Sequence, residues 1–231
     1  MAGRSDRSAH GKRAGMREPA APDLPDDLAL GSLPADDLKD GAVQLCLAFE
    51  GTDLSGREAA GPEIDQCRYD GVNLSQARLR RAMIRDAVFD RCDLANLRAR
   101  DSSMIRTSFA ASRMTGLSYL AGGLRDVTFD GCRMDFASFN SSTLKDVVFT
   151  DCRMDQVDFG EADLAGARFT GCDLSGAQFS GARMTGTRLT RCDLTGISGV
   201  TSLRGAIVTS ADAMGLAFTL AGALGITIED D

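Results

Sequence analysis

The chain has 231 residues, 43% of them hydrophobic, which suits one ordinary domain or one elongated array. It has no Trp and only two Tyr, against eleven Phe, nine Met and 25 Gly; no apolar run approaches the roughly 20 residues of a membrane span. A formal net charge of −7 weighs against simple nucleic-acid binding.

In chain order, the opening MAGRSDRSAHGKRAGMREP is basic and polar and lacks the apolar stretch of a secretory signal. Residues 1–18 hold five Arg/Lys against two acids, and residues 1–21 read as a disordered, solvated tail. Residues 22–45 carry six Asp against Lys39 alone. Leu24, Leu28, Leu30, Leu33, Leu38 and Val43 are interspersed there, which predicts an N-terminal cap of short turns or helix. Seven cysteines are an odd number, and with no export signal they indicate a reducing cytoplasm and not a disulfide framework.

From residue 46 to 199 the chain repeats every five residues. Stepping by five from Phe49 to Leu194 gives thirty positions, all apolar, with no insertion or deletion. Two residues before each runs a second, mostly small ladder that includes Cys92, Ser102, Thr107, Ala137, Cys152, Ala162, Cys172 and Cys192. A period of five is neither the 3.6 of a helix nor the 2 of a strand. It suits a chain that turns a corner every five residues and points one large and one small side chain inward. Between Phe129 and Phe179 the large position alternates Phe with Met or Leu, a period of ten. Cys92, Cys132, Cys152, Cys172 and Cys192 share a period of twenty, with Ser112 on the missing rung. Four segments per turn account for both, so an all-β, four-sided solenoid is predicted.

Segments such as Thr52-Asp53-Leu54-Ser55-Gly56, Ala162-Asp163-Leu164-Ala165-Gly166 and Cys172-Asp173-Leu174-Ser175-Gly176 closely resemble the pentapeptide-repeat family. The resemblance covers about two-thirds of the chain and implies a right-handed quadrilateral β-helix. At the inter-strand spacing of about 4.8 Å, thirty segments make a rod about 36 Å long. Arg57 and Pro62 depart from the small inward type, which predicts a bulge near 57–64. Ala99 and Gly122 are weak rungs, which predicts looser packing over 97–124.

An open solenoid needs caps at both ends. Residues 200–231 are assigned to the C-terminal one, with a helix over about 211–224, Ser210 as N-cap, Asp212 in its first turn and Gly225 closing it. No charged residue lies between Asp212 and Glu229. Met214, Ala217, Phe218 and Ala221 form one stripe; Leu216, Leu220 and Ala223 form another. A helix apolar around most of its circumference must bury more than one face. One face is expected to cap the last coil and the other to meet a second subunit, with Met214, Phe218, Leu220 and Leu224 as the candidate dimer interface. The alternative is that ITIED folds back over it.

The chemistry expected of this chain is that of a binder. The only histidine, His10, lies in the tail, so no His-based triad or His-ligated metal site is expected in the folded part. No Walker loop, G-x-G-x-x-G or H-E-x-x-H occurs, and no cofactor is expected. The cysteine column reads as small buried hydrophobes, since Ser, Ala, Thr and Val fill equivalent positions.

The family's best-known activity, protection of bacterial DNA gyrase by an acidic rod resembling duplex DNA, is implied as one reading. Uninterrupted register and an apolar C-terminal helix suit it; charge does not. The outward residues of the thirty segments net −3 in total, and Arg78, Arg80, Arg81, Arg98 and Arg100 make one patch basic. About 36 Å of duplex would carry on the order of 20 negative charges. The reading ranked first is a rigid protein-interaction rod, with Met83, Ile105 and Leu120 as the candidate partner patch and Phe136 projecting elsewhere. Packing against the N-terminal segment is the plainer account of that patch.

Overall fold

The computed structural model describes residues 17–227. They form a four-sided β-solenoid of about nine turns, closed at its C-terminal end by one helix. The twenty-residue period is realised as parallel pairing: Phe49 lies against Tyr69, Tyr69 against Phe89, Phe109 against Phe129 and Phe149 against Phe169. Corners recur every five residues on a left-handed residue, as at Gly51, Gly56, Gly61, Gln66 and Gly71. Glycine adopts that conformation without strain; elsewhere the inter-coil hydrogen bonds hold Arg, Asp or Gln in it. Strands Met83–Asp90, Ser103–Ala110, Gly123–Asp130 and Thr143–Thr150 run straight through such a corner and join two faces into one wide sheet.

The large ladder fills the axis. Phe49, Tyr69, Phe89, Phe109, Phe129, Phe149 and Phe169 stack near-parallel with centroids 4.6–5.2 Å apart. On the opposite face Phe139, Phe159 and Phe179 stack at 5.5–5.6 Å and meet the first column edge-on. The rung spacing of a parallel sheet sets the face-to-face distance, and the period of ten brings the edges of one column to the faces of the other.

No bulge forms at 57–64. Glu58–Ala60 pairs in register with Arg78–Arg80, and Glu63–Asp65 with Met83–Arg85. Arg57 lies at the N-terminal end of the rod, where its partly exposed side chain reaches the cap, and its Nε donates to Asp37 Oδ1 at 2.8 Å. The Gly122 rung is filled by a neighbour. A Cβ there would come within 2.3 Å of the Tyr119 ring, whose hydroxyl donates to Ser102 O at 2.7 Å. A void of only about 30 Å³ follows the axis between Leu38 and Phe139.

Pairing also starts earlier than residue 46, because Val43–Leu45 lies against Glu63–Asp65. The inward residue of this extra segment is polar: Gln44 accepts from the Tyr69 hydroxyl and donates to Asp36 O at 2.6 Å. With Leu38 buried beside it, this closes the N-terminal end of the core.

At the other end the five-residue register stops at Gly199, where φ is 72° and a Cβ would lie 2.4 Å from Ser180 N, although Ile207–Val208 still pairs with Arg188–Leu189. A short 3₁₀ turn, Val200–Leu203, follows, and then the helix Ser210–Ala223. Its N-cap is Thr209, not Ser210: Thr209 Oγ1 accepts from Asp212 N at 3.3 Å. Asp212 does more than meet the helix dipole. Its carboxylate accepts from Arg191 N at 2.9 Å and Cys192 N at 3.1 Å, the amides a further coil would have covered. Asp212 stands twenty residues beyond Cys192 and so replaces that coil with a side chain.

Candidate functional site

A rod with a filled axis offers its outer surface, and the N-terminal segment reshapes part of it. Residues 17–21, assigned above to the disordered tail, and residues 22–30, assigned to the cap, instead lie as a strap along one corner of the rod. Residues 1–16, including His10, fall outside the described residues. The Arg17 guanidinium donates to Asp126 at 3.0 Å and stands 3.6 Å from Asp146. Glu18 accepts a two-pronged bond from Arg168 at 2.6 and 2.7 Å, which lowers its pKa. Ala20 N donates to Asp126 Oδ1 and Asp23 N to Asp86 Oδ1, both at 3.0 Å. Gln66 Nε2 donates to Asp23 O, and Ala29–Leu30 then pairs with Leu47–Ala48.

Asp86, Asp126 and Asp146 stand on one column of corner residues that recurs every twenty residues, with Arg106 between the first two. An extended chain rises about 3.3 Å per residue, so the three steps from Ala20 to Asp23 match the two rungs between Asp126 and Asp86, about 9.6 Å. Asp86 and Asp126 are buried under the strap. Burial pushes the Asp86 carboxyl up. The Arg106 guanidinium, the Asp23 amide and the charges of Arg106 and Arg85 outweigh it, so the group stays below its ordinary value.

The proposed dimer residues are exposed at the tip of the rod. Met214 and Leu224 are 76% exposed, Phe218 66% and Leu220 40%; of the helix's apolar residues only Leu216 is buried on the last coil. Ile226 is exposed too, so the chain through residue 227 does not fold back over this face. On the lateral faces Met83 is exposed and Ile105 half-buried on neighbouring strands; Ile105 lies beside Arg85 and Ser103 beside Met83, so the two side chains are diagonal. Leu120 is half-buried on the adjoining sheet, beside Arg100. Phe136 stands apart, exposed at a left-handed corner.

The cysteine column is structural. Each of Cys92, Cys132, Cys152, Cys172 and Cys192 donates to the carbonyl two residues back and to one on the preceding coil, at 3.3–3.7 Å. Ser112, on the same column, donates to Ala110 O at 2.9 Å and accepts from Cys92 N at 3.0 Å, which explains why serine and cysteine interchange. All seven cysteines are free, and burial pushes Cys92 up to about 11. No group of three His, Cys, Asp or Glu among the described residues is placed to hold a metal ion.

Two family models match within this architecture: "Pentapeptide repeats (8 copies)" over residues 65–96 and "Pentapeptide repeat region" over residues 123–198. The chain is a pentapeptide-repeat protein. Among solved pentapeptide-repeat structures it is similar to HetL of the cyanobacterium Nostoc, involved in heterocyst differentiation regulation. Identity to HetL is 18% over 75% of this chain and 90% of that one, with a TM-score of 0.31. QnrB1, a plasmid-mediated fluoroquinolone resistance protein, is 22% identical over 81% of this chain and all of its own, with a TM-score of 0.33. Rfr23 of the cyanobacterium Cyanothece is 14% identical over 71% and 91%, with a TM-score of 0.22. Comparison with curated proteins finds no match. No helix of the described pentapeptide-repeat chain is long and apolar enough to cross a membrane.

Proposed function

We propose that this pentapeptide-repeat protein is a non-enzymatic, cytoplasmic interaction rod that pairs with a second copy through its C-terminal helix and presents its sides to protein partners. The observation that supports this most is the tip: Met214, Phe218 and Leu224 are largely exposed on a helix with no charged residue from 213 to 228. A large apolar surface of this kind is stable in water when covered, and two-fold self-pairing is the commonest cover. The Met83–Ile105 face is the candidate site for a different protein. Sedimentation of the native chain and a Phe218→Asp variant tests the pairing. A dimer that the variant converts to a folded monomer is expected; a native monomer at tens of micromolar would sink the proposal.

The uninterrupted register and apolar terminal helix also suit a second reading, a rod that binds bacterial DNA gyrase in place of DNA and modulates it or protects it from quinolone-type inhibitors. Its outward residues net only −3, against on the order of 20 charges on an equal length of duplex, which favours the first reading. Supercoiling by purified gyrase, with and without a quinolone, is therefore expected to be unchanged by the native protein. Protection that disappears in Phe218→Asp would establish the topoisomerase reading instead.

A further inference from the structure

The sheet formed by Glu58–Ala60, Arg78–Arg80, Arg98–Arg100 and Ser118–Leu120 carries a charge pattern that the fold does not explain. Arg78 lies directly beside Arg98, and Arg80 directly beside Arg100. Like charges opposite one another in a sheet are destabilising. The four guanidinium groups nevertheless form a grid, about 4.8 Å between strands and about 6.6 Å along them. Little nearby neutralises it. Arg78 pairs with Glu58 and Arg100 stands 3.7 Å from Asp101, while Arg80 and Arg98 have no ion-pair partner among the described residues. Asp40 stands at its edge, its carboxylate accepting from Ala60 N at 2.7 Å.

The grid floors a shallow cleft of about 630 Å³ whose rim includes Lys39. Five cations and two carboxylates line it, a net +3 on a chain of net −7. A second hollow of about 280 Å³ adjoins it across Arg78 and Arg98 and adds the amides of Gln76 and Asn96. Elsewhere on the rod, Arg113, Arg133 and Arg153 also stack, but Arg113 and Arg153 each have a carboxylate partner, Asp93 and Asp135.

We propose that this cleft is a binding site for a compact polyphosphate anion, one carrying at least two linked phosphoryl groups. Guanidinium forks match phosphoryl oxygens two at a time. Two phosphoryl groups of about −1.5 to −2 each offset a lining of +3 without any help from a larger partner. Carboxylates at one charge each would have to crowd three or more groups onto the same grid. Gln76 and Asn96 supply neutral donors at the margin, where a nucleoside or further phosphoryl oxygens would lie.

Titration calorimetry at low ionic strength tests the site, with orthophosphate, tripolyphosphate, ATP, a hexaglutamate peptide and a single-stranded oligonucleotide as probes. The variants are Arg80→Gln/Arg98→Gln and, as a control for general electrostatics, Arg133→Gln. All three positions are free of ion pairs among the described residues, so the fold survives their replacement. Tripolyphosphate is expected to bind at least about tenfold tighter than orthophosphate or hexaglutamate. The double variant should weaken it by about 30-fold or more, the control by less than about twofold. ATP binding more tightly than tripolyphosphate identifies a nucleotide source; equal or weaker binding identifies an inorganic one. Absence of tripolyphosphate binding, equal losses in both variants, or preference for the peptide or oligonucleotide overturns the proposal.

Discussion

Replacing Arg106 by alanine should release the strap while leaving the rod intact. Asp86 is 5% exposed at its side chain and receives Arg106 Nε at 2.6 Å, a second Arg106 nitrogen, and the Asp23 amide at 3.0 Å. Arg106→Ala leaves a buried carboxylate with the amide alone. Breaking a fully buried pair costs about 3–5 kcal/mol. Arg106 is 35% exposed, and water replaces part of what it supplied, so about 2–3 kcal/mol is the better figure. Lifting the strap lets water reach Asp86, so the strap is where the strain relaxes. Exchange of the Asp23 amide should then quicken by about 30- to 150-fold, while amides of Thr143–Thr150 stay protected.

The same latch has a pH signature. Asp86 is held below its unfolded value, so its contribution is complete above about pH 4 and fades as pH falls through the lower, folded pKa. Strap exchange in the native chain should therefore quicken only in acid. An Asp23 amide that exchanges as slowly in Arg106→Ala as in the native protein would refute the reasoning. So would a loss of protection spread evenly along the rod.

Other sites give sharper contrasts. Phe149→Ala, which empties a place between rings at 4.8 and 4.7 Å, should cost about 3–5 kcal/mol in urea unfolding, and Phe149→Leu under about 1.5 kcal/mol. Gly199→Ala drives a Cβ into the Ser180 backbone at a left-handed φ; loss of amide protection around Phe179 and at the C-terminal helix is expected, with the N-terminal coils unaffected. Iodoacetamide on the native protein should label half-buried Cys46 first, and the six buried thiols only after unfolding, as peptide mass mapping would show.

The rod was legible in the sequence because its rule is local. Each five-residue segment needs one large and one small inward side chain, and thirty consecutive apolar positions state that without interruption. Where the reading went astray, a side chain had found a partner in another coil or cap. Arg57 looked like a defect until Asp37 stood opposite it, and Gly122 looked loose until the Tyr119 ring lay over it. Gln44 was passed over because a polar residue does not announce a core position, although Tyr69 and Asp36 satisfy it there. Asp212 had a local role to suggest, its helix dipole, and a non-local one visible only once Cys192 is known to lie twenty residues behind it in space as well as in sequence. The strap was the hardest to see. Arg17 and Glu18 read as a solvated tail and Asp23 as part of a cap, and only the column of Asp86, Asp126 and Asp146, together with Arg168 on the rod, turns them into contacts.

That column also changes how the protein can come apart. In a stack where each coil touches only its neighbours, a terminal coil can peel off and expose the next, like a zipper opening from one end. The strap touches the coils of Leu47, Gln66, Asp86, Asp126 and Arg168 in turn, so the first coil cannot leave without pulling on the seventh. Contacts of such long sequence separation make the first seven of the rod's roughly nine coils melt as one block and confine fraying to the C-terminal coils that the strap does not reach.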